Sequence, residues 1–498
     1  MTTVLAEKAE AYINQLEEAP ALDSANTTAL LQKQNKVLRK IDLRLTPLFF
    51  VVYLITFIDR ASIGNARVGG LEKDLGLVGY QFNIILSCFY ITYALWEMPS
   101  NLVRTGSLGP KIWLPLQIVS FGVVSMATAF VKNFAGLVVL RVVLGLAEGG
   151  VLPCMALVLS RFYTRKELIL RVAYMVSAAS LAGAFGGLLS SGFISIGPLA
   201  AVGNAAWRNI FFFEGIITIA IGIVVYFLCP SSPEDALFLT AEERVIARER
   251  LGTRVSSNIS PAVKRRLTRQ GFLALPTWLC AFGYLGTNVS VQGVSLFLPT
   301  IIRALYPGLP TVQIQLRTVP PYVVAFAWTL ALAWLSSRID RRGLVLLATS
   351  PFAIAGYIIF VVTGLSDVNA RYAGSFLCIL GAFPLGPFTM AWAMNNAATD
   401  IERGVAGGLV PGFGQLGAII ATWSYLPKDA PNYYTGNSIN IGFASFCWLI
   451  SASTLVYLIY QNRARRAGKM DYRLSEVPDS EDPTEYLGSK HPSFIYSL

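Results

Sequence analysis

Long apolar runs dominate the chain, each ended by a short polar stretch. A helix crossing the hydrocarbon of a bilayer needs about 20 apolar residues. Twelve runs meet that length: 45–64, 81–103, 112–131, 134–158, 172–195, 209–229, 276–302, 318–337, 343–364, 372–395, 404–426 and 438–460. The first six fill 45–229 and the last six 276–460, two stretches of equal length. The pattern predicts an all-α membrane protein with twelve transmembrane helices, arranged as two pseudo-symmetric six-helix bundles. The runs 112–131 and 134–158 are joined so tightly that they must form a hairpin, as must 318–337 and 343–364. Three polar segments remain. Residues 1–44 contain Glu7, Glu10, Glu17 and Glu18, unlike a cleavable signal peptide. Residues 230–275 form a central loop, where Thr240-Ala-Glu-Glu243 offers a capping box to a short arginine-rich helix. That helix is expected to strap along anionic headgroups. Residues 461–498 are polar, turn acidic towards their end, and are expected to be disordered.

Composition agrees with the pattern and narrows the function. Hydrophobic residues make up 54% and charged residues 14% of the 498, and the mean hydropathy is +0.54. A soluble protein would be about a quarter charged, so a soluble enzyme, a disordered scaffold and a nucleic-acid binder are excluded as first readings. The net charge of +11 sits in the connections. Lys36, Arg39, Lys40 and Arg44 precede the first run, and Arg161, Arg165, Lys166 and Arg171 lie between the fourth and fifth. Eight more basic residues fall from Arg244 to Arg269, and others cluster at Arg338, Arg341, Arg342 and Arg463 to Lys469. All of these connections fall on one side, whereas the opposite side has mostly single basic residues such as Lys132, Arg208, Arg371 and Lys428. The positive-inside rule then makes both termini cytoplasmic. The sole histidine, His491, is in the tail, and the six cysteines lie singly in apolar runs. No metal site and no cofactor are expected, and no glycine-rich nucleotide loop is present.

A charge at the bilayer centre costs roughly 2.5–3.5 kcal/mol on insertion scales, so ionisable groups inside spans face partners or water. The amino-terminal half has Asp59, Arg60, Glu97, Arg141, Glu148 and Glu214; the cores of spans seven to twelve have none. Arg141 and Glu148 stand seven residues apart, about two turns, and present nearly the same helix face. Arg141 offers a planar fork to a carboxylate, and Glu148, with Asp59 and Glu97, is a candidate proton carrier. The alternative is that these charges neutralise one another only to hold the bundle together. In the other half Asn288, Gln292, Trp392, Asn395 and Asn396, and also Gln415, are candidate substrate contacts or helix–helix hydrogen-bonding groups. The glycines of spans five and eleven, Gly183 and Gly187, Gly404 and Gly408, predict tight packing faces.

A series of short motifs gives these features a family context. It includes Lys40-Ile-Asp-Leu-Arg44, Asp59-Arg60, Gly70-Leu-Glu-Lys-Asp-Leu-Gly76, Pro99-Ser-Asn101, and Arg141 with Gly145, Glu148 and Gly150. Trp207-Arg208, Phe212-Phe-Glu-Gly215, Leu296-Phe-Leu-Pro-Thr-Ile-Ile302, Pro320-Pro-Tyr322 and Asn395-Asn396 follow in the same order. In this order the chain resembles the major facilitator superfamily, in particular its anion:cation symporters and their fungal allantoate permease-like family. The resemblance implies a midplane site between the two bundles, alternating access by rocking, and small organic anions carried with protons. In the related vesicular glutamate transporters the arginine matching Arg141 binds the anion, and the glutamate matching Glu148 takes part in coupling. Those relatives also have a histidine in span two and an arginine in span seven; here span two reads Leu86-Ser-Cys-Phe and 276–302 has no basic residue, so a single negative charge is expected on the substrate. The superfamily's gating motif is degraded at Arg104-Thr-Gly-Ser-Leu-Gly-Pro-Lys111 but intact at Ser336 to Gly343, making Asp340 and Arg341 gating candidates. Before span eleven the family's Lys-Arg-Ala is Glu402-Arg403-Gly404.

The expected protein is a monomeric, multi-pass carrier in the cell membrane. It takes up a small organic anion of carboxylate, vitamin or ureide type with protons. Two rivals remain at this stage: efflux of a fungal secondary metabolite by the same fold, and a non-transporting nutrient sensor.

Overall fold

The computed structural model describes residues 24–105, 109–251, 260–339, 341–478 and 482–498. Among the described residues eleven helices are long and apolar enough to cross a membrane: α1 (Ser24–Val68), α3 (Gly109–Thr128), α4 (Phe134–Ser160), α5 (Arg165–Ser195), α6 (Arg208–Leu228), α7 (Leu275–Leu305), α8 (Thr311–Ile339), α9 (Arg342–Val362), α10 (Val368–Asn395), α11 (Asp400–Thr422) and α12 (Tyr434–Arg466). The twelfth, α2 (Gln81–Thr105), is 25 residues long and carries Glu97. Among the described residues there is no strand. Twelve helices in series put the start of α1 and the end of α12 on one face, here the terminal face; the other is the distal face.

The duplication is visible in the packing. Helix α1 lies on α5 as α7 lies on α11, α2 on α4 as α8 on α10, and α3 on α6 as α9 on α12. Each pair recurs six helices later, which makes the two bundles pseudo-symmetric. Across the seam α5 packs along α8, α1 meets α7, and α2 meets α11. Gly183 and Gly187 fulfil the packing expectation, because a Cβ there would come within 2.5 Å of the Tyr322 ring and 2.7 Å of Thr318 Oγ1 on α8. Gly404 and Gly408 do not, since open space surrounds both.

Three features depart from the hydropathy pattern. Helix α1 begins at Ser24, well before residue 45, and its 45 residues extend roughly 68 Å. Val37, Ile41, Leu45 and Phe49, four residues apart, form one buried stripe that continues the helix below the apolar run. Its terminal part holds the loop helix Ala241–Arg250, which has the expected Thr240–Glu243 capping box, through Lys40 Nζ to Glu243 Oε2 at 2.7 Å. Two spans are also broken. Helix α4 divides at Gly149-Gly150, and α10 at Phe383-Pro384.

The third departure corrects an expectation. The tail is folded. Helix Pro483–Leu487 is capped by Asp482, whose Oδ1 accepts the Thr484 amide at 2.7 Å. Those backbone N–H groups hold the Asp482 carboxyl below the usual carboxylate range. Leu487 and Tyr496 are buried against the second bundle. The overall polarity of 461–498 conceals the few apolar side chains that anchor it.

Candidate functional site

A chamber of about 40 Å³ lies between the bundles, walled by α1, α2, α4, α5, α7, α10 and α11. Tyr53, Phe57 and Arg60 face it from α1, at spacings of four and three that keep one helical face turned inward. Tyr284, Asn288 and Gln292 do the same from α7, with Thr287 and Val291 beside them. Tyr93, Phe383 and Gln415 complete the wall from α2, α10 and α11. The chamber is thus an aromatic and amide-lined space with a single guanidinium.

That guanidinium belongs to Arg60. Its Nε–H donates to Glu148 Oε1 on α4, and its Cζ stands 4.4 Å from the Tyr93 ring centroid. Arg60 is 7% exposed and Glu148 fully buried, with Oε2 of Glu148 lacking a hydrogen-bond donor. Close approach of α2 and α4 permits this. A Cβ at Gly145 would lie 2.6 Å from the Phe89 carbonyl oxygen, and one at Gly149 2.8 Å from that of Tyr93.

Arg141 sits elsewhere. It is 2% exposed, is not part of the chamber wall, and lies 5.5 Å from the Phe211 ring centroid. Its Nε and Nη2 have no hydrogen-bond acceptor. It is within electrostatic range of Asp59, Glu148 and Glu214. Asp59 accepts the Ser125 hydroxyl at Oδ1 and has no donor at Oδ2. Glu97 is buried within electrostatic range of Arg60. The amino-terminal bundle therefore holds two layers of charge: Arg60 with Glu148 at the chamber, and Arg141 with Asp59 and Glu214 behind it. Arg141 and Glu148, expected to line one cavity, are not among its lining residues; Arg60 lines it instead and reaches Glu148 from the neighbouring helix.

Among the candidates of the second bundle, Asn288 and Gln292 line the chamber. Asn288 Nδ2 donates to the Gly414 carbonyl at 2.9 Å, and Gln292 Oε1 accepts the Tyr90 hydroxyl at 2.9 Å across the seam. Gln415 Oε1 is buried without a donor. Trp392, Asn395 and Asn396 lie beyond the chamber, on the half of α10 that follows its break. Trp392 and Asn396 bind the carboxy-terminal tail instead. Asp340 falls outside the described residues, and Arg341 is exposed on the terminal face. The aromatic wall was not singled out in the sequence. Its signal was the stripe Tyr53, Phe57, Arg60, readable once Arg60 is taken as inward-facing.

On its distal side the chamber is shut. Asn83 Nδ2 donates to the Thr422 carbonyl at 2.5 Å, Ser87 and Thr422 share a hydrogen bond of 2.9 Å between hydroxyls, and Trp423 Nε1 donates to Ser87 at 2.9 Å. Arg303 also donates to the Val68 carbonyl. At Gly64 a Cβ would overlap the Leu296 carbonyl oxygen, so α1 and α7 touch backbone to backbone.

A family model described as the Major Facilitator Superfamily matches residues 49–422. A high-affinity nicotinic acid transporter of Saccharomyces cerevisiae is 30% identical over 471 residues, covering 93% of this chain and 85% of that protein. An uncharacterised transporter of Schizosaccharomyces pombe is 31% identical, covering 97% and 95%. The MFS-type transporter cnsO of Penicillium expansum is 31% identical, covering 93% and 91%. Among solved structures, the xylose transporter XylE from E. coli, in a partially occluded inward-open conformation, is similar in fold. Its TM-score is 0.61 at 15% identity, covering 82% of this chain and 98% of that one.

Proposed function

The chain belongs to the major facilitator superfamily, and from that premise we propose that this multi-pass secondary transporter takes up a small organic monoanion together with protons. It is no enzyme. The reading rests on one observation: the buried pair of Arg60 and Glu148 at the wall of a chamber between two bundles.

The physics of that pair supplies the coupling. A carboxylate entering the chamber competes with Glu148 for the Arg60 fork. Once displaced, Glu148 would be an unpaired buried charge, which is costly in a low-dielectric interior. A proton taken up by Glu148 removes that cost, so anion binding and proton binding favour each other. The anion then pairs with Arg60 and the proton with Glu148, and the chamber gains no net charge. Arg141, Asp59 and Glu214 form a second layer that sets the field at Glu148. We thus assign the substrate to Arg60 rather than to Arg141.

One guanidinium favours one carboxylate. The rings of Tyr53, Phe57, Tyr93, Tyr284 and Phe383 favour a flat body, and Asn288, Gln292 and Gln415 suit its polar edge. The nicotinic acid transporter among the relatives acts, by its name, on an aromatic monocarboxylate. The motif series supports placement with the anion:cation symporters and the allantoate permease-like family. The basic connections support a cytosolic terminal face in the cell membrane.

The test is uptake of radiolabelled nicotinate, allantoate and short monocarboxylates into proteoliposomes, with and without an inward proton gradient. Gradient-driven accumulation that fails in Arg60→Ala is expected. Accumulation driven equally well without the gradient would refute the coupling, and gradient-driven movement only outward would favour efflux.

A further inference from the structure

The inward stripe of α1 does not stop at the chamber. Tyr53, Phe57 and Arg60 line the wall, and Gly64 and Arg67 continue the same face at spacings of four and three. Arg67 stands two turns beyond Arg60, about 10.5 Å nearer the distal end of the helix. Between the two arginines lies the contact of Gly64 with the Leu296 carbonyl. Anything that reaches the chamber from the distal side passes Arg67 first.

Arg67 is built into a site of its own. Its side chain is 8% exposed, and its Cζ stands 4.4 Å from the Phe82 ring centroid on α2 and 5.8 Å from that of Phe297 on α7. A guanidinium held by its face against rings keeps its N–H edges free to donate. One edge pairs with Glu72, Nε to Oε1 at 2.8 Å. Nη1 is buried and has no acceptor among the described residues. A carboxylate is the acceptor whose shape and charge suit that edge. Behind Phe297 the rings continue, with Tyr425 stacked on it at 4.9 Å and Tyr433 against Tyr425 at 5.7 Å. Tyr433 is held at φ +53°, a left-handed conformation that is costly for a ring-bearing residue, and it lies within electrostatic range of Arg67 and Glu72.

Local geometry explains the place of Glu72. Gly70, at φ +107°, turns the chain after α1, and its amide donates to the Arg67 carbonyl at 3.2 Å. The short helix Leu71–Asp74, fixed by the buried Leu71, then brings Glu72 back to Arg67. The pair repeats that of Arg60 with Glu148, with one difference. Glu148 is fully buried, so displacing it leaves a charge that only a proton relieves. Glu72 is 36% exposed, so once displaced it turns to water and keeps its charge. We propose that Arg67, with Phe82, is an outer subsite for the carboxylate of the carried monoanion, filled before Arg60 and without a proton. The proposal rests on the reading of the chain as an organic-anion carrier and gives that carrier a capture step. Arg303, exposed at the end of α7 and donating to the Val68 carbonyl, adds positive charge at the same mouth. Proton coupling then belongs to the inner pair alone.

Two measurements on the full chain in lipid test this, with nicotinate as the probe. Arg60→Met combined with Glu148→Met removes the inner pair without leaving a buried charge. In that background nicotinate should still give a saturation-transfer NMR signal in nanodiscs, and adding Arg67→Gln should abolish it. No signal in the background, or one that survives Arg67→Gln, would overturn the proposal. With the inner pair intact, Arg67→Gln should raise the KM of gradient-driven uptake about tenfold and leave Vmax nearly unchanged, because capture is lost and the inner site kept. Glu72→Gln, which removes the competitor, should lower KM instead, by about threefold. Shifts of both variants in the same direction would make the pair a structural clasp of the distal face and sink the outer subsite. A parent protein that accumulates no anion refutes the carrier reading itself, whereas an active parent whose background variant binds nothing refutes the subsite alone.

Discussion

Arg60 on α1 and Glu148 on α4, 88 residues apart in sequence, meet as a buried ion pair, and Arg60 lines the chamber. Breaking such a pair from one side leaves an uncompensated charge, at a cost of about 3–5 kcal/mol. Arg60→Ala is expected to lower the melting temperature and abolish uptake. Arg60→Met combined with Glu148→Met should recover much of the stability but none of the transport. Scanning fluorimetry beside uptake assays checks this; transport by the double variant would remove Arg60 from substrate binding.

Glu148→Gln separates binding from coupling. Glutamine is close in shape to a protonated glutamate and holds no exchangeable charge. The variant should bind the anion at least as tightly as the parent, because the fork of Arg60 has lost its competitor. Substrate exchange should persist while accumulation under a proton gradient falls at least tenfold. Equal accumulation by variant and parent would move the coupling to another group, with Asp59 the next to test.

Much of the fold was legible because each span is long and its apolar content unambiguous. The charged layer was legible too: every ionisable residue singled out in the first bundle is buried. Their partners were not. Spacing along α4 relates Arg141 to Glu148, but a partner from α1 depends on how far that helix is rotated, which one sequence does not state. Trp392 and Asn396 sit on an apolar span, which points to the chamber, yet the break at Phe383-Pro384 sets them beyond the wall. The fold of the tail is hidden in the sequence for a similar reason. Its anchors, Leu487, Phe494 and Tyr496, are few, and the polar groups that receive it, Glu402, Asn462 and Arg465, lie far away in the sequence.

Outside the membrane, Glu243 gives a pH dependence with a definite sign. The Lys40 ammonium beside it, and then the Thr240 amide, hold its carboxyl below the usual carboxylate range. A depressed folded value stabilises the docked helix Ala241–Arg250 above the unfolded value, and the contribution disappears as pH falls through the folded one. Amide exchange in 241–250 should therefore be constant near neutrality and quicken, after correction for intrinsic rates, only below about pH 4. Lys40→Ala should bring the onset to higher pH; an onset unmoved by that change would discount the contact.

Gly64 tests alternating access itself. Any Cβ there strikes the Leu296 carbonyl oxygen, so alanine forces α1 and α7 apart on the distal side. The hydrogen bonds of Asn83, Ser87 and Trp423 between α2 and the end of α11 lie on the same side and would open with them. Gly64→Ala should keep the fold, since nothing buried and polar loses a partner within either bundle, while the chamber stays accessible from the distal face. A cysteine at Gln292, which lines the chamber just inside that closure, should react with an impermeant thiol reagent added on the distal side far faster in the Gly64→Ala background than in its absence. Uptake should fall at least tenfold with binding retained, because a carrier held open on one side can load but not deliver. Unaltered labelling would mean that the backbone contact at Gly64 is not the closure that separates the two states.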